Sequence, residues 1–493
     1  MTFSVPYLSV FQQTAGDLMG PALCRLQRDT PCGSAVQQLA DTGQGCAVIV
    51  DRGQRVQGLL TRADVIRRVA CRVSADTPID EVMSRPALIA TTTMPAYRAL
   101  AELQARRERW APVVDASERL QGLFDAQTAL AHGLPAALQR LAAVTGPATD
   151  QGLRRCRNGQ AHIIDGMAAE GASAAAMQRM LASLNDDLHA RAVEMGVNGM
   201  AEDGWGRPPV AFAMIVMGSS GRTESFLDPD QDNGFVIADY PDQDHGQIDR
   251  YFIELARRTT RSLDAAGIPL CKGHVMATNP LWRKTLPQWQ DQIRRWLRRR
   301  SETGFLQSNI LLDCRGVAGD MALAAELRDH MVAQFAASRS YVRSLTLNES
   351  TRGVGLGWFD RLITESEDSA HPGELDLKRL GLMPIVEVAR LYATAHGITA
   401  CATHDRLDAL AEANVLSGGD VAALKDAHEF IAGLIFRRQL NDIAREARPG
   451  KHITPGALTP AEQDRLVTSL KSVQGMVKRL ARDLVGPDAP DGG

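Results

Sequence analysis

Residues 217–239 read MGSSGRTESFLDPDQDNGFVIAD, and this stretch decides the fold of the middle of the chain. The apolar run VAFAMIVM (210–217) leading into it reads as a buried strand that ends at the Gly218-Ser219 turn. A polar loop follows, and DQDNGFVIAD (230–239) reads as a second strand, with Asp230 and Asp232 at its start. Side chains at i and i+2 of a strand share a face, so the two carboxylates are expected side by side. In a partly buried site they repel and raise each other's pKa. They stay ionised together when a cation lies between them.

Hard divalent ions such as Mg²⁺ or Mn²⁺ take oxygen from one or two carboxylates together with substrate phosphates. Asp230 and Asp232 are the expected metal ligands. Gly218 lets backbone approach a triphosphate, Ser219 offers a hydroxyl and an N–H, and Arg222 offers a fixed positive charge. This set suits metal-assisted phosphoryl or nucleotidyl transfer from a nucleoside triphosphate. A third carboxylate on a neighbouring strand completes such a site. Asp313 is the first choice for it and Glu224 the second.

Outward from this stretch, HGQIDRYFIELARRTTRSLDAAG (245–267) is an amphipathic helix with a glycine stop, and IPLCKGHVMAT (268–278) is expected as a third strand. Lys272 and His274 on that strand either face phosphates or lie on a solvated edge. LWRKTLPQWQDQIRRWLRRR (281–300) reads as a helix with a basic, solvated end; its tryptophans at 282, 289 and 296 recur every seven residues, the spacing of core packing. FLQSNILLDCRGVAGD (305–320) reads as helix or strand, NILLDC being the better strand. Helical spacing dominates residues 326–487, and GPDAPDGG at the end has a disordered composition.

Residues 17–135 hold a repeat. CAVIVD (46–51) and VQGLLTRADVIRRVA (56–70) are answered by WAPVVD (110–115) and LQGLFDAQTALAHG (120–133), each pair preceded by a helical segment. Two copies are too few for a solenoid, and two half-barrels packed on each other are expected. Residues 136–205 are Ala- and Leu-rich and read as a helical connector that ends in the linker AEDGWGRPP (201–209).

Gly-Ser followed by Asp-x-Asp is similar to the signature of the DNA polymerase β-like nucleotidyltransferase superfamily. The longer string MGSSGRTESFLDPDQDNGFVI resembles the branch akin to bacterial PII-protein uridylyltransferases, as do GIPLCKGHVMATNPLWR and LLDCRGVAGD. LDLKRLGLMPIVEVARLYATAHGI (375–398) resembles that branch's helical C-terminal substrate-binding domain, and residues 17–135 resemble a tandem cystathionine-β-synthase (CBS) pair. The resemblance implies an α/β and α multidomain chain. CBS copies occupy 17–72 and 73–135, and the helical connector 136–205. A polymerase-β-like mixed sheet with helices forms the nucleotidyltransferase-like domain, 206–325, and a C-terminal helical bundle occupies 326–487. It implies transfer of a nucleoside monophosphate to an acceptor hydroxyl, with a protein tyrosine as the analogue acceptor.

The CBS resemblance implies regulation by AMP or ATP. Its Ser/Thr-x-x-Asp ribose motif falls on Thr61 and Asp64, which can equally form a helix N-cap. The second copy has the residue types swapped, Asp125 and Thr128, so one nucleotide site per pair is expected. CBS pairs associate, which implies a homodimer. The rival reading is a non-catalytic nucleotide-sensing signalling module that binds a partner protein.

The bulk numbers agree with an ordinary globular chain. Of its 493 residues 44% are hydrophobic and 23% charged, enough for about three or four domains with cores of their own. The net charge of −3 gives no overall pull toward nucleic acid or anionic lipid. The eight cysteines include no C-x-x-C pair, which suits reduced thiols in the cytoplasm. The N-terminal sequence lacks a signal peptide's basic and apolar regions, and no window reaches the ~18 apolar residues of a membrane span. Asp228, Asp230 and Asp232 echo a calcium loop, but Asn233 stands where an EF-hand needs glycine.

Overall fold

A computed structural model describes residues 14–70, 72–86, 88–131, 149–350 and 353–486. The chain divides into two compact units, Met1–Thr145 and Gly146–Gly493.

In the first unit the sequence repeat is a structural repeat. β1 (Arg25–Leu26), β2 (Cys46–Val50) and β3 (Val56–Thr61) form one sheet; β4 (Ala90–Thr91), β5 (Trp110–Val114) and β6 (Leu120–Asp125) form the other. In each, a short parallel strand is followed by an antiparallel pair, and the register slips at the same place, Ile49/Val50 and Val113/Val114. The cause of the matching turns is visible. Asp51 Oδ1 accepts from the N–H of Gly53 at 2.8 Å and of Arg55 at 2.9 Å, and Asp115 Oδ1 accepts from Ser117 at 2.8 Å and Arg119 at 3.1 Å. An Asp side chain here replaces a backbone acceptor in the turn. Leu39, Ile49 and Leu60 belong to the core of the first copy, Leu100, Val113 and Phe124 to that of the second. A third cluster containing Val48, Leu59, Leu120 and Leu123 joins the two half-barrels.

The second unit is built on β7 (Phe212–Val216), β8 (Asn233–Ile237), β9 (Arg283–Thr285) and β10 (Arg315–Gly319), in the order β10-β7-β8-β9. β8 and β10 run antiparallel to β7, and β9 runs parallel to β8. Every residue of β7 and β8 is buried, which is why they read as continuous apolar runs and not as alternations. The helix His245–Ala266 packs against Asp150–Ala169 and Ala174–Glu202. The stretch expected as a connector therefore belongs, from Thr149 onward, to the second unit. Trp282, Trp289 and Trp296 are core residues at 2%, 0% and 5% exposure, and Trp289 Nε1 donates to the Phe235 carbonyl at 3.1 Å.

Three local readings are corrected. IPLCKGHVMAT is not a strand; its backbone meets the sheet through single bonds, among them Gln231 N–H to the Pro269 carbonyl, Asn233 N–H to the Val275 carbonyl and Ala277 N–H to Asn233 Oδ1, each at 3.0 Å. Pro269 has no N–H to give a ladder, and the turn through Gly273 leaves Lys272 and His274 exposed, His274 at φ 54°. β9 takes the third-strand position with residues 283–285, which were expected at the start of a helix over 281–300; that helix begins only at Leu286, where Thr285 caps it by accepting from the Gln288 N–H at 3.3 Å. NILL lies in the helix Glu302–Leu312, capped by Ser301, whose hydroxyl accepts from Gly304 N–H at 3.1 Å. A short apolar run does not distinguish a buried strand from a buried helix.

The C-terminal region is a helical bundle. Met383–Ala395 is buried along nearly its whole length, among Met321–Ala337, Arg339–Ser350, Thr403–Glu412 and Pro460–Leu484. A small antiparallel pair, β11 (Leu375–Asp376) and β12 (His452–Ile453), stands at one side. The helical reading of AALQRLAAVTG (136–146) and all but the first residue of the tail GPDAPDGG lie outside the described residues. No described helix is long and apolar enough to cross a membrane.

Candidate functional site

The acidic pair sits where β7 ends and β8 begins. Met217 N–H donates to the Asp232 carbonyl at 2.9 Å, extending the β7–β8 ladder by one step. Between the two acids, Gln231 is fully buried; its Nε2 donates to the carbonyls of Thr260 at 3.1 Å and Ile268 at 2.8 Å. That anchor turns the intervening side chain into the core and leaves Asp230 and Asp232 together on the other side, Asp230 exposed and Asp232 partly buried. The expected shared face is present, although both acids precede the strand proper. Gln231 went unnoticed in the sequence; a lone glutamine between two aspartates carries no signal of its own.

Gly218 closes on this pair. It has φ 59°, and a Cβ there would lie 2.9 Å from Asp232 Oδ2, so a side chain would be both strained and in the carboxylate's way. Ser219 beside it is partly exposed. The irregular segment 268–277 brings in Cys271, and donor atoms of Asp230, Asp232 and Cys271 lie within 4.8 Å of one another. Burial, and then the Asp230 charge, push the Asp232 carboxyl up to about 7. Burial and the Asp232 charge push the Cys271 thiol up to about 11, so it stays protonated and hydrogen-bonds Asp232. Two carboxylates fit a hard divalent ion; the thiol is their neighbour and not a ligand such an ion prefers.

Lys378, just past β11, lies near enough to the same pair for their charges to interact. Burial lowers its pKa, while the charges of Asp230 and Asp232 hold it up. Its block, LDLKRLGL, resembled a family block in sequence but carried no readable chemistry.

Arg222 and Asp313 require correction. Arg222 does not point at a phosphate site: it is 5% exposed, its Nε donates to Glu224 Oε2 at 2.7 Å and its Nη1 to Asp313 Oδ2 at 2.6 Å. Asp313 is not a third metal carboxylate. Arg390 also binds it through Nε at 3.1 Å and Nη2 at 2.8 Å, and Arg406 through Nη1 at 2.8 Å. Three guanidinium groups hold its carboxyl well below the usual range despite complete burial. Glu224 is equally committed; its Oε1 accepts from Thr403 N–H at 2.7 Å. This cluster locks the loop after β7 to the C-terminal bundle. Leu227 N–H, bonded to Gln439 Oε1 at 3.0 Å, and the Phe226–Phe436 ring contact at 4.9 Å continue the seam.

In the first unit, Thr61 and Asp64 form a capping box: Thr61 Oγ1 donates to Asp64 Oδ2 at 2.7 Å, and Asp64 N–H donates back to Thr61 Oγ1 at 3.1 Å. Ser84 Oγ donates to Asp64 Oδ1 at 3.0 Å. In the second copy Asp125 is clamped by Arg109 through two bonds of 2.8 and 2.7 Å. A 470 Å³ hollow lined by Trp205, Arg207, Arg250 and Tyr251 also takes in Pro209, at the opposite end of β7 from the acidic pair.

Comparison with known proteins places these parts. Residues 159–303 match the family described as "Putative nucleotidyltransferase DUF294", and residues 339–484 match "Putative nucleotidyltransferase substrate binding domain". Residues 15–71 and 79–132 each match the CBS domain. No curated protein matches the chain. Similar solved structures include a CBS domain protein from Pyrobaculum aerophilum complexed with AMP, at 23% identity over 26% of this chain and 98% of that one, TM-score 0.24. The CBS domains of a transcriptional regulator from Streptococcus pneumoniae match at 20% identity over 24% of this chain and 98% of theirs, TM-score 0.22.

Proposed function

From a chain that carries a DUF294 nucleotidyltransferase-type domain, its substrate-binding domain and a CBS pair, we propose a metal-dependent nucleotidyltransferase of the PII-uridylyltransferase kind. It transfers a nucleoside monophosphate from a nucleoside triphosphate to an acceptor hydroxyl, on a protein in the analogous enzymes, and releases pyrophosphate. The observation that carries this reading is the convergence of Asp230, Asp232 and the Gly218 turn at one sheet end, with Asp232 raised to about 7. Such a pair is unfavourable with both acids ionised and becomes favourable around a dication. Asp230 and Asp232 would hold Mg²⁺ or Mn²⁺, which when bound supplies charge stabilisation to the transferring phosphoryl group. Gly218 leaves room for the polyphosphate, Ser219 offers it a hydroxyl, and Lys378 replaces Arg222 as the cation near it. Thr61 and Asp64 would receive the ribose of AMP or ATP in the CBS pair, opening their capping box to do so.

One observation favours the rival, a non-catalytic nucleotide-binding module. Neither carboxylate expected to activate the acceptor is available to the pair: Asp313 is held by three arginines, and Glu224 by Arg222 and the Thr403 N–H. Pyrophosphate release from purified protein, across the four nucleoside triphosphates with Mg²⁺ or Mn²⁺, separates the two. Release that falls by roughly 10²–10³-fold or more in Asp230→Asn/Asp232→Asn supports the enzyme. Nucleotide binding with no turnover supports the rival.

A further inference from the structure

A second set of donors, outside the acidic pair, lies beside β11 and β12. His371, Glu374 and His452 each bring a donor atom to within 4.8 Å of the others. His371 Nδ1 lies 3.1 Å from Glu374 Oε2, and the two imidazoles stack with centroids 3.8 Å apart. Backbone bonds fix these positions independently of the side chains. Glu365 N–H donates to the Glu374 carbonyl at 2.8 Å and Gly373 N–H to the Glu365 carbonyl at 3.1 Å, closing the loop, while Asp376 and His452 are register partners across β11 and β12.

We propose that His371, Glu374 and His452 form a binding site for a borderline transition-metal dication of the Zn²⁺ type, with solvent completing its coordination. Two imidazoles and one carboxylate are a zinc donor set, distinct from the all-oxygen set that Mg²⁺ takes. Asp376 Oδ2, 3.5 Å from His452 Nε2, supplies the outer carboxylate that in metal sites fixes an imidazole's tautomer.

The competing account is a plain ion-pair network. Arg438 reaches Glu374 at 3.3 Å, Arg379 reaches Glu365 at 2.7 Å and Lys451 reaches Asp376 at 3.3 Å. The Arg438 contact uses Glu374 Oε1, whereas Oε2 is turned to His371. The cations therefore meet the surrounding acids through atoms other than the Glu374 oxygen that faces His371. His371 is exposed and gives an ion a way in.

The site would tie the loop before β11 to β12 beside the acidic cleft. Lys378 follows Asp376 by two residues, the Lys451 charge acts on Lys378, and Arg448 reaches Asp228 at 3.2 Å. A bound ion would thus steady the wall that holds Lys378 near Asp230 and Asp232, without itself taking part in transfer.

Titration of the metal-stripped full chain with Co²⁺ tests this through the visible ligand-field spectrum. With excess Mg²⁺ present to fill the Asp230–Asp232 pair, one Co²⁺ per chain is expected, displaced by one equivalent of Zn²⁺. His371→Ala, at an exposed position, should keep the fold by circular dichroism and weaken binding more than about a hundredfold, because loss of an outer partner alone costs roughly 10–100-fold. Asp230→Asn/Asp232→Asn should leave the spectrum unchanged. A missing ligand-field band overturns the proposal. So does a band intact in both His371→Ala and Glu374→Gln, or one lost in Asp230→Asn/Asp232→Asn.

Discussion

Two acidic centres lie at the same end of the β7 sheet and have opposite electrostatics. The four-residue turn GSSG serves both: Gly218 gives room to the Asp232 carboxylate, and a Cβ on Gly221 would lie 1.6 Å from the Asp313 carbonyl oxygen. Asp313 is saturated by Arg222, Arg390 and Arg406. Asp232 has a second acid and a thiol for its nearest company, with the Lys378 charge acting on the pair. Burial acts on both carboxyls in the same direction, so their partners decide the outcome. Paired with guanidinium groups, a buried aspartate becomes a structural anchor. Paired with another aspartate, it is pushed toward the protonated form, and on the function proposed above a dication would relieve that repulsion.

The largest expected effect comes from breaking the anchor. Asp313→Ala leaves three buried arginines without their shared counter-charge, and removing one partner of a buried pair costs about 3–5 kcal/mol. Chemical denaturation should show a loss of that size. A loss under about 1 kcal/mol would mean that the arginines find water, and that the contrast with Asp232 is weaker than drawn.

The pH dependence should run oppositely for the two acids. The folded pKa of Asp232, about 7, lies above the unfolded value near ~3.9, so its contribution to stability is present below pH ~4 and is lost as pH rises through 7. That of Asp313 is depressed, so its contribution is present above pH ~4 and is lost as pH falls. Melting temperatures of wild type and Asp232→Asn without divalent ions should therefore converge near pH 4 and separate by pH 8, with the variant more stable. Saturating Mg²⁺ should raise the wild type at pH 8 and leave the variant unmoved. Equal profiles would remove the strained acidic pair.

Asp64 is the mildest case, with its oxygens taken by Thr61 and Ser84. Asp64→Ala should cost about 1 kcal/mol as a lost cap and abolish the thermal shift produced by AMP or ATP. A shift of wild-type size in the variant would leave Asp64 a cap and nothing more.

The contrast also explains what the sequence could convey. The β7 and β8 runs, the CBS repeat and the long helices were legible because burial and periodicity are local properties. The Asp230–Asp232 spacing was legible for the same reason. Asp313 looked equivalent to them because its arginines come from 91 residues upstream and from 77 and 93 residues downstream, and no local pattern announces such partners. Arg222 misled in the same way. Lys378 and the histidines at 371 and 452 gain meaning only when the C-terminal bundle folds back on the sheet.

Anomalous diffraction from crystals grown with Mn²⁺ and a non-hydrolysable nucleoside triphosphate tests the central claim most directly. The account predicts a manganese peak between the carboxylates of Asp230 and Asp232, in contact with the phosphates. Bound nucleotide with no peak there, or with manganese held elsewhere, would contradict it.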